Sequence, residues 1–262
     1  MRPLPTQRSH AWQRRLATGS LACLLILGAL PASATAATKP FTIDLADRND
    51  FVAQTNFVQC VGASMQMMLN IIGPERDRTA ATQLELQRLA RKWSGRRPDG
   101  DERQGASVRG WTAGLNLLGA GPYRLAGEAT IDEALVLAAR AIRLTGKPVG
   151  LLMWRGRHAW VMSGFEATGD PLQADTRVTS VYVEDPLYPH GSSVWGPSPR
   201  PGEALTVAEL GRQYVPRNAS NNLVNNGNGG NPSGGWGRQF AGKYVLVLPF
   251  VPLPTLRANA DI

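Results

Sequence analysis

The chain has 262 residues, 43% hydrophobic and 18% charged, which excludes a disordered or collagen-like polypeptide and suits one domain or two lobes sharing a cleft. The formal charge is +8, but Arg2, Arg8, Arg14 and Arg15 all precede residue 37, where no acid occurs. Without them 24 basic residues face 20 acidic ones, an excess too mild and diffuse to indicate nucleic acid.

Residues 1–36 read as a secretory signal. The arginines are followed by an apolar run from Leu21 to Leu30, a break at Pro31, and small residues offering A-x-A cleavage sites that end at Ala34 and Ala36. The run is shorter than the ~20 apolar residues of a spanning helix, so no stable membrane insertion is expected after cleavage. Secretion to an extracellular or periplasmic space follows. Cys23 departs with this segment and leaves Cys60 as the one mature cysteine, unable to form an internal disulfide.

Residues 37–59 read as an irregular lead-in. A helix is expected from Cys60, with Val61, Met65, Met68, Leu69 and Ile72 at helical spacing and Gly73-Pro74 as its stop. A second covers Thr79 to Trp93, and a charged loop runs from Arg96 to Gln104. A third spans Ser107 to Leu118. A fourth begins at Thr130, which forms a capping box with Glu133, and runs to Leu144 before Gly146.

After Pro148 the pattern changes to strands: Val149 to Trp154, His158 to Phe165 and Val178 to Asp185. Thr206 and Glu209 form a second capping box, opening a short helix to about Tyr214. Residues 217–237, rich in Asn and Gly, read as a loop, and Tyr244 to Val251 as a last strand. Helices first and strands later predict an α+β fold: an N-terminal helical lobe (about 40–147) packed on a C-terminal antiparallel β-sheet (about 148–255).

The chemistry concentrates around Cys60. A cysteine at a helix N-terminus meets the positive end of the macrodipole and free backbone N–H groups, both of which favour thiolate over thiol. Gly62, Ala63 and Ser64 allow close approach of other backbone. Gln54, six residues earlier, is placed to donate its amide to a developing oxyanion together with the Cys60 N–H. Gln59, adjacent to the cysteine, has the wrong spacing for this.

A thiolate nucleophile needs a base and an orienting group. Only His158 and His190 remain in the mature chain; His158 opens a strand, whereas His190 lies between Pro189 and Gly191 and reads as a turn residue. Asp185 closes the next strand. A hairpin register pairing Phe165 with Val178 sets His158 directly opposite Asp185. Met65, Met67 and Met68 read as core. One cysteine and two histidines give no tetrahedral zinc set, and neither a metal nor a cofactor is expected.

This set resembles the papain-like cysteine peptidases, above all the bacteriocin-processing type. The resemblance rests on Gln54 six before Cys60, the helix-opening Cys60-Val-Gly-Ala-Ser-Met-Gln-Met, the strand-opening His158-Ala-Trp-Val, and Asp185-Pro186. It covers roughly Gln54 to Pro186 and departs from many relatives at Val61, where they carry Gly. It implies a papain-like catalytic domain over 37–262 and peptide-bond hydrolysis through a thioester acyl-enzyme. Cys60 would be nucleophile, His158 base, Asp185 its orienting partner and Gln54 the oxyanion donor. The expected partner is a peptide or protein substrate, with no nucleic acid, and the chain is expected to act as a monomer. Competing readings are a transglutaminase-like acyl transferase, a cell-wall amidase, and an inactive papain-like peptide-binding module.

Overall fold

The computed structural model describes residues 39–95, 105–218 and 239–252. The expected signal segment, the charged loop from Arg96 to Gln104 and most of the Asn- and Gly-rich stretch lie outside the described residues. In chain order the elements are β1 (Phe41–Asp44), α1 (Cys60–Ile72), α2 (Ala80–Lys92), α3 (Val108–Leu117), β2 (Tyr123–Glu128), α4 (Ile131–Thr145), β3 (Val149–Met153) and β4 (His158–Ala167). They continue with β5 (Val178–Glu184), β6 (Gly191–Ser192), β7 (Gly196–Pro197), β8 (Glu203–Thr206), α5 (Val207–Leu210) and β9 (Tyr244–Pro249).

Local chemistry explains the helix ends. Thr79, Ser107, Thr130 and Thr206 each accept a backbone N–H from the first turn, and Thr130 with Glu133 and Thr206 with Glu209 complete capping boxes. Gly146 closes α4 in the left-handed conformation. The last short helix stops earlier than expected, at Leu210, and the chain goes on to Gln213 through i→i−3 turns.

Seven strands form one antiparallel sheet in the order β2-β9-β3-β4-β5-β8, with β1 pairing the far end of β4 on the edge that β3 leaves free; β6 and β7 form a separate two-stranded ribbon. The fold is therefore α+β. Both sheet faces are covered. Ala159, Val161 and Val247 face the core of α1, α2 and α3, whereas Trp160, Met162, Leu246 and Leu248 face the core of α4 and α5. This is the period-two alternation of strands buried on both sides. A bulge between Met162 and Gly164 reverses the alternation, so that Phe165 and Ala167 also join the α4 side.

Chain order alone misleads in two places. Residues Phe41–Asp44, within the stretch expected to be irregular, form a strand, and Tyr123–Glu128 add an edge strand between α3 and α4. Both are short, and each pairs with a segment more than a hundred residues away. The helical half of the chain thus contributes strands to the sheet, and α4 packs on the face opposite α1.

Helix α1 is buried around most of its circumference. Met65, Met67 and Met68 are fully buried, each such side chain stabilising by roughly 1.5–3 kcal/mol. Its polar side chains donate to backbone carbonyls: Ser64 Oγ to Ala159 O (3.2 Å), Gln66 Nε2 to Thr79 O (3.1 Å) and Asn70 Nδ2 to Asp77 O (2.9 Å), while Gln66 Oε1 is buried without a partner. At Gly62 a Cβ would lie 2.6 Å from Gln83 O and 2.9 Å from Gln87 Cβ, so only glycine lets α1 and α2 approach this closely. Gly62→Ala should overpack the contact and destabilise the protein by about 1–3 kcal/mol. An unchanged urea midpoint would show that the two helices can separate freely.

Candidate active site

Cys60 is the first residue of α1, buried and carrying a free thiol. The first N–H groups of a helix have no acceptor within it. Here the Gly62 N–H is taken by Gln87 Oε1 at 2.9 Å, from the neighbouring α2. Gln87 Nε2 also donates to Val58 O (2.9 Å). One turn earlier Gln83 accepts Thr55 N–H (2.8 Å) and donates to Ala53 O (3.0 Å). Two buried amides thus hold residues 53–62, the stretch that leads into and contains the cysteine. The sequence carried a signal for this: Gln83 and Gln87 share one helix face with Leu86 and Ala90, where apolar residues would be expected.

His158 begins β4, and Ser64, one turn into α1 beyond Cys60, bonds the carbonyl of its neighbour Ala159. This bond ties the cysteine-bearing helix to the histidine-bearing strand. Nε2–H of His158 donates to Asp185 Oδ1 at 2.7 Å, with His158 4% and Asp185 0% exposed. The same oxygen accepts the Leu187 N–H at 2.9 Å, which fixes the carboxylate. The Cys60 side chain lies on the ring's other side, near enough to favour the ring's proton by its polarity and charge. With Nε2 on Asp185, Nδ1 is left for the sulfur. The three expected residues are brought together.

The route by which they meet differs from the expectation. Phe165 pairs with Val181, not Val178, and Val161 pairs with Glu184; Asp185 lies just past the strand end, level with Trp160. His158 is therefore diagonal to Asp185 rather than opposite. At this end the slip is two residues, an even number, so both side chains stay on the same sheet face, and diagonal neighbours remain within reach of a long or aromatic side chain. The bulge absorbs the odd residue farther along.

Gln54 is half-buried. Its backbone N–H donates to Pro186 O at 2.7 Å, so the segment carrying it is joined to the residue after Asp185. Its Nε2 donates one hydrogen to Asn56 O (2.8 Å), and its buried Oε1 meets no donor. Gln59 accepts from Thr55 Oγ1 at 2.6 Å and gives α1 no side-chain cap. His190 is exposed in a turn, its N–H bonded to Leu187 O. A residue not expected at the site is Trp154, whose ring stacks on His158 with centroids 4.1 Å apart and planes 23° from parallel.

Burial opposes a charge on His158, but the hydrogen bonds to Asp185 and Cys60 and the charges of both outweigh it, and the imidazole is pushed up to about 9 from an ordinary 6.5. Glu184, on the other face of β5, is pushed up to about 8 from 4.5, by burial first and then by the Asp44 and Asp50 carboxylates. Among the described residues no group of three or more His, Cys, Asp or Glu is arranged to hold a metal ion, and no helix is long and apolar enough to cross a membrane. Compared with protein-family models and with curated proteins, the chain matches none.

Both shifted groups hold their protons more tightly folded than unfolded. The stabilisation from Glu184 is complete below pH 4.5 and lost as pH rises through about 8; that from His158 is complete below 6.5 and lost through about 9. Stability should therefore decline from mildly acidic to alkaline pH. Glu184→Gln, which keeps the neutral shape, should flatten the part of the decline below pH 8 and raise the melting temperature at pH 8. A variant whose melting curves track the wild type at every pH would refute the buried, protonated carboxyl.

Proposed function

We propose that the protein is an exported cysteine peptidase with a papain-like catalytic domain. The observation that carries this reading is His158, hydrogen-bonded to a fully buried aspartate and influenced by a cysteine at a helix N-terminus. A raised imidazole beside a thiol supplies a charged proton donor next to the nucleophile, as covalent catalysis by a cysteine requires. The arginine-bearing, apolar N-terminal segment with its small-residue cleavage sites supports export.

In this reading the Cys60 sulfur attacks the scissile carbonyl carbon, and the C=O π pair moves onto oxygen. The Cys60 N–H and the Gln54 amide donate to that oxyanion. His158 gives its proton to the leaving nitrogen, the C–N bond breaks, and a thioester remains. Water then attacks the thioester while His158 takes its proton; the C–S bond breaks, the acid departs, and the proton returns the site to its starting charge. Asp185 keeps the ring oriented and stabilises it when charged. For Gln54 to take part, its amide must turn from Asn56 O or use its second hydrogen. Its unpartnered Oε1 leaves it few bonds to lose by doing so.

An epoxide or iodoacetamide thiol probe should modify Cys60, and Cys60→Ser should abolish peptide hydrolysis with little change in melting temperature. Full activity in that variant would remove Cys60 as nucleophile. Gln54→Ala should lower turnover about 10²–10³-fold with substrate affinity nearly kept, and Gln59→Ala far less. The reverse ranking would leave the oxyanion without its proposed donor. His190→Ala should retain activity.

A further inference from the structure

We infer that Trp154 and Gln213 form a bracket that positions the base, holding the plane of the His158 ring and keeping water from its bond to Asp185. The inference rests on the peptidase reading for its effect on turnover, but not for its effect on the ring.

The turn between β3 and β4 is the starting point. Met153 pairs with His158, and the four residues between them carry three consecutive positive φ angles: Trp154 at 56°, Arg155 at 58° and Gly156 at 100°. Side chains with a Cβ disfavour that region, and two such residues in succession persist only where surrounding contacts determine them. The contacts come from the segment after α5. Trp154 N–H donates to Gln213 O (3.0 Å), its indole Nε1–H donates to Gln213 Oε1 (2.9 Å), and Asn218 N–H donates to Arg155 O (3.3 Å). Gln213 is itself buried, and its Nε2 donates to Pro197 O (3.0 Å), so both ends of its amide are engaged. One glutamine thus sets both the backbone and the ring of Trp154.

The product of this turn is the stack of Trp154 on His158. The bond to Asp185 fixes the imidazole within its plane but does not restrain a tilt out of that plane. A flat indole at 4.1 Å does, and it covers one face of the ring at the same time. It also offers a π-face to the imidazolium, an attraction that favours the charged base. Trp154 contacts no reacting atom in this arrangement; it acts through His158, and Gln213 acts through Trp154.

The test compares Trp154→Ala, Trp154→Phe and Gln213→Leu by steady-state kinetics and by the low-field NMR signal of the His158 Nε2 proton in the free protein. Trp154→Ala should lower kcat about 10–100-fold, as a displaced catalytic group does, with KM changed little, and should lose the proton signal to exchange with water. Trp154→Phe, which keeps a stacking face, should recover the signal and most of the turnover. Gln213→Leu, which keeps the indole but removes its acceptor, should broaden the signal and lower kcat without changing KM. Wild-type kcat and an undisturbed signal in both Trp154→Ala and Gln213→Leu would overturn the bracket. Should Trp154→Ala fail to fold, an undisturbed signal in Gln213→Leu does so alone. A wild-type protein that neither hydrolyses peptides nor reacts with thiol probes would instead overturn the peptidase reading, and the proton signal would still decide the bracket.

Discussion

A histidine that is 4% exposed keeps a proton above neutrality only when its neighbours return more than burial removes. At His158 those neighbours are a fully buried carboxylate at 2.7 Å and a cysteine side chain. Removing either partner would leave a buried polar group unmatched, which is costly where water cannot replace it. The position of three separate chain segments therefore matters jointly: the start of α1, the start of β4 and the residue after β5. The polar contacts around the site make sense as answers to that demand.

Each segment is held by backbone-directed bonds rather than by the triad itself. Gln83 and Gln87 grip the chain from Ala53 to Gly62, Ser64 ties α1 to Ala159, and Leu187 N–H holds the Asp185 carboxylate. Gln54 closes the circuit through its N–H to Pro186 O, joining the lead-in of the cysteine to the exit of the aspartate. Side-chain amides suit this work because each supplies a donor and an acceptor at one position. The surrounding sheet, buried on both faces, gives these bonds a rigid support.

Much of this was legible in the residues. Helix starts at Thr79, Ser107, Thr130 and Thr206 are written in short-range capping chemistry; Pro74 after Gly73 stops α1 by backbone restriction, and Gly146 stops α4 because glycine takes the left-handed conformation freely. Cys60, His158 and Asp185 stood out because their types and local settings are unusual together. Features fixed by distant partners were not legible. β1 and β2 are strands because β4 and β9 offer them edges, and no local pattern in four to six residues announces that. The β4–β5 register departs from a simple hairpin closing at Phe165 because β4 runs on to pair Ala167 with Val178 and two register shifts interrupt the ladder; His158 and Asp185 still meet because the slip near His158 is even. Gln83 and Gln87 were visible as polar residues on an apolar face, but what they grip depends on how α2 meets the loop before Cys60.

In the proposed reading His158 is a charged base held between Asp185 and Cys60. The most direct measurement is an NMR pH titration of the His158 imidazole in the wild type, in Asp185→Asn and in Cys60→Ala. The account predicts a wild-type midpoint near 9 that falls in both variants, because each removes a hydrogen bond and a charge that favour the imidazolium. A wild-type midpoint near the ordinary 6.5, unmoved by either substitution, would contradict it.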